Sequence, residues 1–190
     1  MKRIAYNLGA ELDYYVEEFV RMDGVKLIMF LIEESQEAQE PEDLEMIYVC
    51  GSMLSTVFMY GSGIETIRKK ARIYFEKFLE LSTMNELIKR QCIKIFLNVS
   101  NKMTECFDII EKAAINWARS SETKIYQSLL QGLQFKDSEM AVALLKFINQ
   151  MIYRAENDEK KANFIARLET QGIFKHLEKW GDKGNDEIDN

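Results

Sequence analysis

The chain has little of what interrupts a helix and little of what performs chemistry. One proline and nine glycines occur among its 190 residues. Alternating strand patterns broken by turn clusters about every 8–12 residues are absent. Leu, Ile, Glu, Lys and Met are abundant instead, and the composition favours helix throughout. His176 is the single histidine, set between Lys175 and Leu177 with no metal-ligand spacing around it. Cys50, Cys92 and Cys106 are an odd, widely spaced set without a CxxC pair, which argues against zinc and for reduced core thiols. Neither GxGxxG nor GxxxxGK[ST] nor GxSxG occurs, and Gly61-Ser-Gly63 lacks the strand that should precede a nucleotide loop. The expectation is therefore a non-enzyme without cofactor or metal. A basic excess is also missing. The 25 Lys and Arg are outnumbered by 31 Asp and Glu, for a net charge of −6 and a pI near 5.1, which disfavours nucleic acid as a partner. No run approaches ~18 apolar residues, so no membrane span is expected. The apolar stretch after Met1-Lys-Arg is too short for a signal-peptide core. Asn98-Val-Ser100 has the form of a glycosylation site but lies within a helical pattern.

What is present is a repeat. Cys50-Gly-Ser-Met-Leu-Ser-Thr56, Cys92-Ile-Lys-Ile-Phe-Leu-Asn98 and Ala143-Leu-Leu-Lys-Phe-Ile-Asn149 are apolar helical segments, each closing on a short polar residue. Superposed, they bring Thr56, Asn98 and Asn149 into register at spacings of 42 and 51 residues. Periods of roughly 40–47 residues mark armadillo and HEAT solenoids. The expected fold is all-α, an armadillo-like right-handed helical solenoid of about four repeats. Residues 1–180 form the expected domain and residues 181–190 an acidic flexible tail.

Along the chain, Leu12, Tyr15, Val16, Phe19 and Val20 form one face of a first helix, which stops at Asp23-Gly24, where glycine tolerates left-handed geometry. Similar helix–Gly–Ile steps stand at Gly63-Ile64 and Gly172-Ile173. An acidic loop spans Glu33 to Glu45, with Pro41 at the start of the next helix, which runs to about Tyr60. Thr83-Met-Asn-Glu86 has the form of a capping box opening a helix from Met84 to Asn101. Ser121-Glu-Thr123 looks like the cap of a helix ending near Phe135. Asp137 and Asn157 open two later helices. Trp180 is expected to close one end of the solenoid.

Solenoids line their inner groove with one helix per repeat. The groove residues expected from the aligned segments are Ser52 with Thr56, then Tyr60, Lys94 with Asn98, and Leu145 with Asn149 and Tyr153. An asparagine amide can hold a ligand backbone as donor and acceptor together. The alternative is that Asn98 and Asn149 cap neighbouring turns. An amphipathic helix docks in such a groove through anchors at i, i+3, i+4 and i+7, and the surrounding acidity favours a basic flank on it. Arg68-Lys69-Lys70 with Arg72 is the one basic cluster. It suits a phosphate, an acidic partner or a membrane surface, or is the wet face of a helix whose apolar side is Ile67, Ile73, Tyr74 and Phe78.

Tyr126-Gln-Ser-Leu-Leu-Gln-Gly-Leu133, followed by Leu145-Lys-Phe-Ile-Asn149-Gln-Met-Ile152, resembles the armadillo region of diaphanous-related formins, the FH3 or diaphanous inhibitory domain. Ile109-Ile-Glu-Lys-Ala113, Tyr15-Val16-Glu-Glu-Phe19 with Gly24, and Phe164 to Ile173 extend the likeness over residues 12–180. Tyr15 stands where that family carries Trp, and Phe58-Met59-Tyr60-Gly61 where it carries Asn-Asn-Lys. The resemblance implies a cytoplasmic, cytoskeleton-associated regulatory domain of an actin-assembly factor. It implies two partners, a Rho-family GTPase in its GTP form and an autoinhibitory amphipathic helix. GTPase contacts would fall on Met59, Tyr60, Arg68, Lys69 and Lys70. With one proline the chain cannot supply a Pro-rich tract and is not expected to assemble actin alone. Glu18-Phe-Val-Arg-Met-Asp-Gly24 also resembles ELMO-like armadillo adaptors of guanine-nucleotide exchange, the alternative reading. A bare scaffold without a nucleotide-switch partner is the third.

Overall fold

A computed structural model of the chain describes residues 2–38, 40–134 and 138–178. These residues contain helices and turns and no strand. The helices are α1 (Lys2–Arg21), α2 (Gly24–Ala38), α3 (Pro41–Val57), α4 (Gly61–Arg68), α5 (Ala71–Leu81), α6 (Glu86–Lys102), α7 (Cys106–Ser120), α8 (Gln127–Leu130), a 3-10 turn (Gln131–Gln134), α9 (Ser138–Arg154) and α10 (Asp158–Thr170). Residues 173–178 are again helical.

In the layer of α3, α6 and α9 every third helix returns. α2 packs on α3, α3 on α6 and α6 on α9, while α5 packs on α7 and α1 on α4. This is the armadillo-like solenoid. The aligned segments fall on α3, α6 and α9, and their burial repeats in register. Cys50, Cys92 and Ala143 are buried, as are Leu54, Phe96 and Phe147 one turn later. Phe75 stacks on Phe96 with ring centroids 5.5 Å apart, and Phe96 meets Phe147 at 5.4 Å. Phe58, just past the end of α3, meets Phe78 at 6.4 Å and Phe78 meets Phe96 at 6.5 Å, so the aromatic seam runs through three successive repeats. Each such ring contributes about 1.5–3 kcal/mol by leaving water.

Local chemistry sets several helix ends. Pro41 opens α3, and Asp43 Oδ2 accepts from the Glu40 amide at 2.8 Å. Asn157 caps α10 through Lys160 N–H at 2.9 Å, as its sequence suggests. Elsewhere packing overrides the local signals. α6 starts at Glu86, capped by Asn85 through Ile88 N–H at 2.9 Å, so Thr83 and Met84 precede the helix. The acidic stretch after Glu33 is mostly helical, shared between the last turns of α2 and the first of α3.

At the first junction Asp23, not Gly24, takes the left-handed conformation, with φ 59°. Gly24 already belongs to α2, and a Cβ there would lie 2.4 Å from the Phe19 ring. Nor is Gly63 a junction. α3 ends at Val57, the chain turns through Phe58-Met59-Tyr60, and α4 leaves at 110° to α3. Gly63 lies inside α4 where a Cβ would sit 2.2 Å from the Val57 carbonyl oxygen, so the tight crossing is what demands glycine. Gly172 does adopt positive φ, 81°, as its junction predicts.

The helix expected after Ser121 is broken into α8 and the 3-10 turn. Tyr126 sits there at φ 65° with its hydroxyl donating to buried Glu111 at 2.8 Å, and Glu111 also pairs with Arg167 of α10. That tertiary network holds residue 126 in a backbone state that stops a helix. Phe135, Asp137, Trp180 and the 181–190 tail lie outside the described residues.

Candidate ligand groove

α3, α6 and α9 run side by side in parallel register, and polar side chains fasten each to the one before. Asn98 Nδ2 donates to the Ser55 carbonyl oxygen at 2.8 Å, near the C-terminal end of α3. One repeat later, Arg154 donates to the carbonyls of Ser100 and Asn101 at 3.3 and 3.0 Å, at the end of α6. These carbonyls lie in final helical turns, where oxygens lack intrahelical donors. Lys94 of α6 pairs with Glu139 at the start of α9 at 2.9 Å.

The expected groove residues fall into three situations. Thr56 and Asn149 point outward and are exposed, and Ser52 and Leu145 are half-buried. The Thr56 hydroxyl donates to Ser52 O of its own helix at 3.1 Å. Asn98 is half-buried, and its amide donor is committed to Ser55, which is the capping role rather than a free ligand contact. Tyr60 leaves the set. It lies beyond the end of α3, extended at φ −114° and ψ 150° ahead of α4, and packs against the core. The 110° bend after Val57 takes it off the face that bears Ser52 and Thr56. Tyr153 is 76% exposed, with the Arg154 guanidinium carbon 5.7 Å from its ring centroid.

Two apolar cavities flank the central rung. The first, about 290 Å³, lies between α1 and α3 and is lined by Leu12, Tyr15, Phe19, Met53 and Val57 together with Ser52 and Thr56. Of the α1 face read from the sequence, Leu12 and Tyr15 are exposed at the rim of this cavity. The second, about 400 Å³, is bounded by Leu145, Ile148, Asn149 and Ile152 of α9, by Ile165 of α10, and by Phe174 and Leu177. Beside the expected polar groove residues stand apolar ones that the aligned segments do not single out. Val49 and Met53 precede Thr56 by seven and three positions and Val142 precedes Leu145 by three, and all are exposed. Their i, i+3, i+4 spacing from the chosen residues was the available signal.

The expected GTPase contacts divide between the two ends of α4. Met59 is 54% exposed at the α3–α4 turn, beside Tyr60. Arg68, Lys69 and Lys70 sit at the far end, about 12 Å away at 1.5 Å per residue. Arg68 is engaged there by Glu65 and Glu105, both at 2.6 Å. The cysteines are core residues. Burial raises the Cys50 thiol and pushes Cys92 up to about 12 and Cys106 to about 11, so all stay protonated and unreactive near neutral pH. No group of three or more His, Cys, Asp or Glu among the described residues is placed to hold a metal ion. No single helix among them is long and apolar enough to cross a membrane. What this face offers a partner is apolar cavities, a few outward polar groups and helix ends.

The chain resembles known proteins over most of its length. Formin-C of Dictyostelium discoideum is 24% identical over 165 residues, a stretch covering 86% of this chain and 14% of that protein. A family model described as the FHOD1/3 FH3 domain matches residues 47–176, which takes in most of α3 and all of α6, α9 and α10. With well over half of its residues so matched, the chain belongs to the formin FH3 domains of the FHOD1/3 type.

Proposed function

We propose that this chain is the regulatory protein-binding domain of a formin-type actin-assembly factor, cytoplasmic and cytoskeleton-associated, which binds an autoinhibitory amphipathic helix and a Rho-family GTPase in its GTP form. The observation that carries the helix part is the pair of apolar cavities at α3 and α9 on either side of the α6 rung. Two helix-to-helix steps of about 8–10 Å separate α3 from α9, so the cavities on their flanks are at least about 16–20 Å apart, a span of roughly 13 or more helical residues. A short amphipathic helix laid across the rungs can seat one anchor in each. Glu42 and Glu45 are exposed on α3, as are Glu34 and Glu37 on α2, and they favour a basic flank on that helix.

The GTPase is placed at the α3–α4 corner, with Met59 and Tyr60 as contacts. Val57, two residues before Met59, lines the first cavity, so a GTPase there would crowd the end of the bound helix. Competition between the two ligands follows from that adjacency.

The test is direct. The purified chain is mixed with GTP-loaded and GDP-loaded Rho-family GTPases and, separately, with a basic amphipathic peptide of about that length, and binding is followed by calorimetry. Preference for the GTP state and displacement of peptide by GTPase are expected. No binding to any of them would overturn the reading. Equal binding to both nucleotide states would point to a plain scaffold.

A further inference from the structure

The α4–α5 corner carries a second surface that the groove does not use. Arg68, Lys69, Lys70 and Arg72 succeed one another across the break between the two helices and are all exposed. With Ile73 and with Ile109 of α7 they line an open depression of about 340 Å³. Ile73 is the anomaly. The helical pattern puts it on the apolar side with Ile67, Tyr74 and Phe78, which are buried, yet Ile73 is 58% exposed among the cations. The break at Lys69-Lys70 restarts the helix and rotates Ile73 outward.

The cations are not equivalent. Arg68 is held by Glu65 and Glu105, and Arg72 reaches Glu76 at 3.7 Å. Lys69 and Lys70 have no side-chain partner among the described residues, in a chain with more acids than bases. The two arginines, whose planar forks suit bidentate recognition of a shaped phosphate or carboxylate, are thus already engaged. What remains is a pair of non-directional point charges beside one exposed aliphatic side chain. Such a surface reads charge density rather than shape. It matches the arrangement by which cations rest on anionic headgroups while an apolar side chain enters the interface.

We infer that the α4–α5 corner is a docking surface for an anionic lipid bilayer, with Lys69 and Lys70 on the headgroups and Ile73 at the acyl boundary. The corner belongs to the α5–α7 layer, not to the α3–α6–α9 layer, so docking leaves the groove open. Two free cations and one aliphatic residue make a weak, salt-sensitive contact that orients the domain rather than anchoring it. The chain as a whole carries a net charge of −6, so a local cationic patch of this kind is what would draw it to an anionic surface. The inference does not rest on the GTPase or helix reading.

The test is vesicle sedimentation of the purified chain with phosphatidylcholine alone and with phosphatidylcholine plus phosphatidylserine, with no GTPase or peptide present. Pelleting is expected only with phosphatidylserine, and it should vanish near 1 M salt, where the screening length is about 3 Å. The double substitution Lys69→Glu with Lys70→Glu should lower partitioning by at least about tenfold, since each surface cation is worth roughly fivefold. Ile73→Ser should weaken it severalfold, while Lys124→Glu, a single charge reversal at an exposed lysine elsewhere, should leave it nearly unchanged, and each of Lys69→Glu and Lys70→Glu alone should lower it more than Lys124→Glu does. Equal pelleting with neutral vesicles, no pelleting with anionic ones, or insensitivity to the Lys69/Lys70 change would overturn the inference. So would capture of a polyglutamate peptide through Lys69 and Lys70 without vesicle binding, which would make the partner an acidic protein.

Discussion

Asn98 donates its side-chain amide to the carbonyl oxygen of Ser55 at 2.8 Å, forty-three positions earlier in the chain, and reaches the Ser55 hydroxyl at 3.4 Å. The bond joins the centre of the groove wall to the last turn of the preceding rung, and Arg154 repeats the device one rung on. The register of α3 against α6 is therefore set by a polar contact as well as by the aromatic seam beneath it.

Asn98→Ala should cost about 1–2 kcal/mol of stability, because it leaves the Ser55 oxygen without its donor in a half-buried site. Asn98→Asp should cost at least as much, since it sets a carboxylate against a carbonyl. Urea unfolding measures both. A change within a few tenths of a kcal/mol would show that the bond contributes nothing.

Gly63→Ala should destabilise by roughly 1–3 kcal/mol, the usual range for overpacking, because its Cβ would lie 2.2 Å from the Val57 oxygen. Gly61→Ala, two residues away at the start of α4, meets nothing within 4 Å. It should be neutral or stabilising by up to about 1 kcal/mol. Thermal melts of the pair separate the crossing from helix propensity.

Alkaline pH should unfold the domain, with the buried thiols as a principal cause. Burial raises Cys92 to about 12 and Cys106 to about 11 from an ordinary 9.0. The folded state thus keeps protons that the unfolded chain releases above pH ~9, and the sign is a loss of stability as pH rises. The stabilisation is fully present below that pH and falls by about 1.4 kcal/mol per thiol per unit up to each folded value. Tyr126, buried against Glu111 and raised well above 10.0 chiefly by that burial, adds to the slope above pH ~10. Urea midpoints followed from neutral pH upward should decline accordingly, and Cys92→Ala should flatten the decline. Near pH 8 the thiols should react with a disulfide reagent only on unfolding.

If a helix bridges the two cavities, Met53→Glu and Leu145→Glu should each weaken a basic amphipathic peptide by at least about tenfold, the loss of one anchor. Both residues are at or near the surface, so melting temperature should change little. Fluorescence anisotropy with a labelled peptide reads the loss. Weakening by only one of the two would confine the peptide to one end of the face.

The repeat was legible in the amino-acid order because burial recurs with the helical period. Cys50, Leu54 and Thr56 match Cys92, Phe96 and Asn98, then Ala143, Phe147 and Asn149, whatever the intervening turns do. The solenoid, the buried thiols and the outward setting of Thr56 and Asn149 follow from that pattern, while the cap at Asn157 follows from its own side chain beside Asp158 and Glu159. Tertiary contact decided the rest. Whether an amide in the aligned position meets a ligand or a neighbour depends on Ser55, far off in sequence. The loss of Tyr60 from the groove depends on α4 crossing the end of α3, and the exposure of Ile73 on where two helices part. The break at Tyr126 depends on a carboxylate from α7. Periodicity constrains one helix at a time, whereas these outcomes turn on which helix arrives beside it, and only the packed chain specifies that.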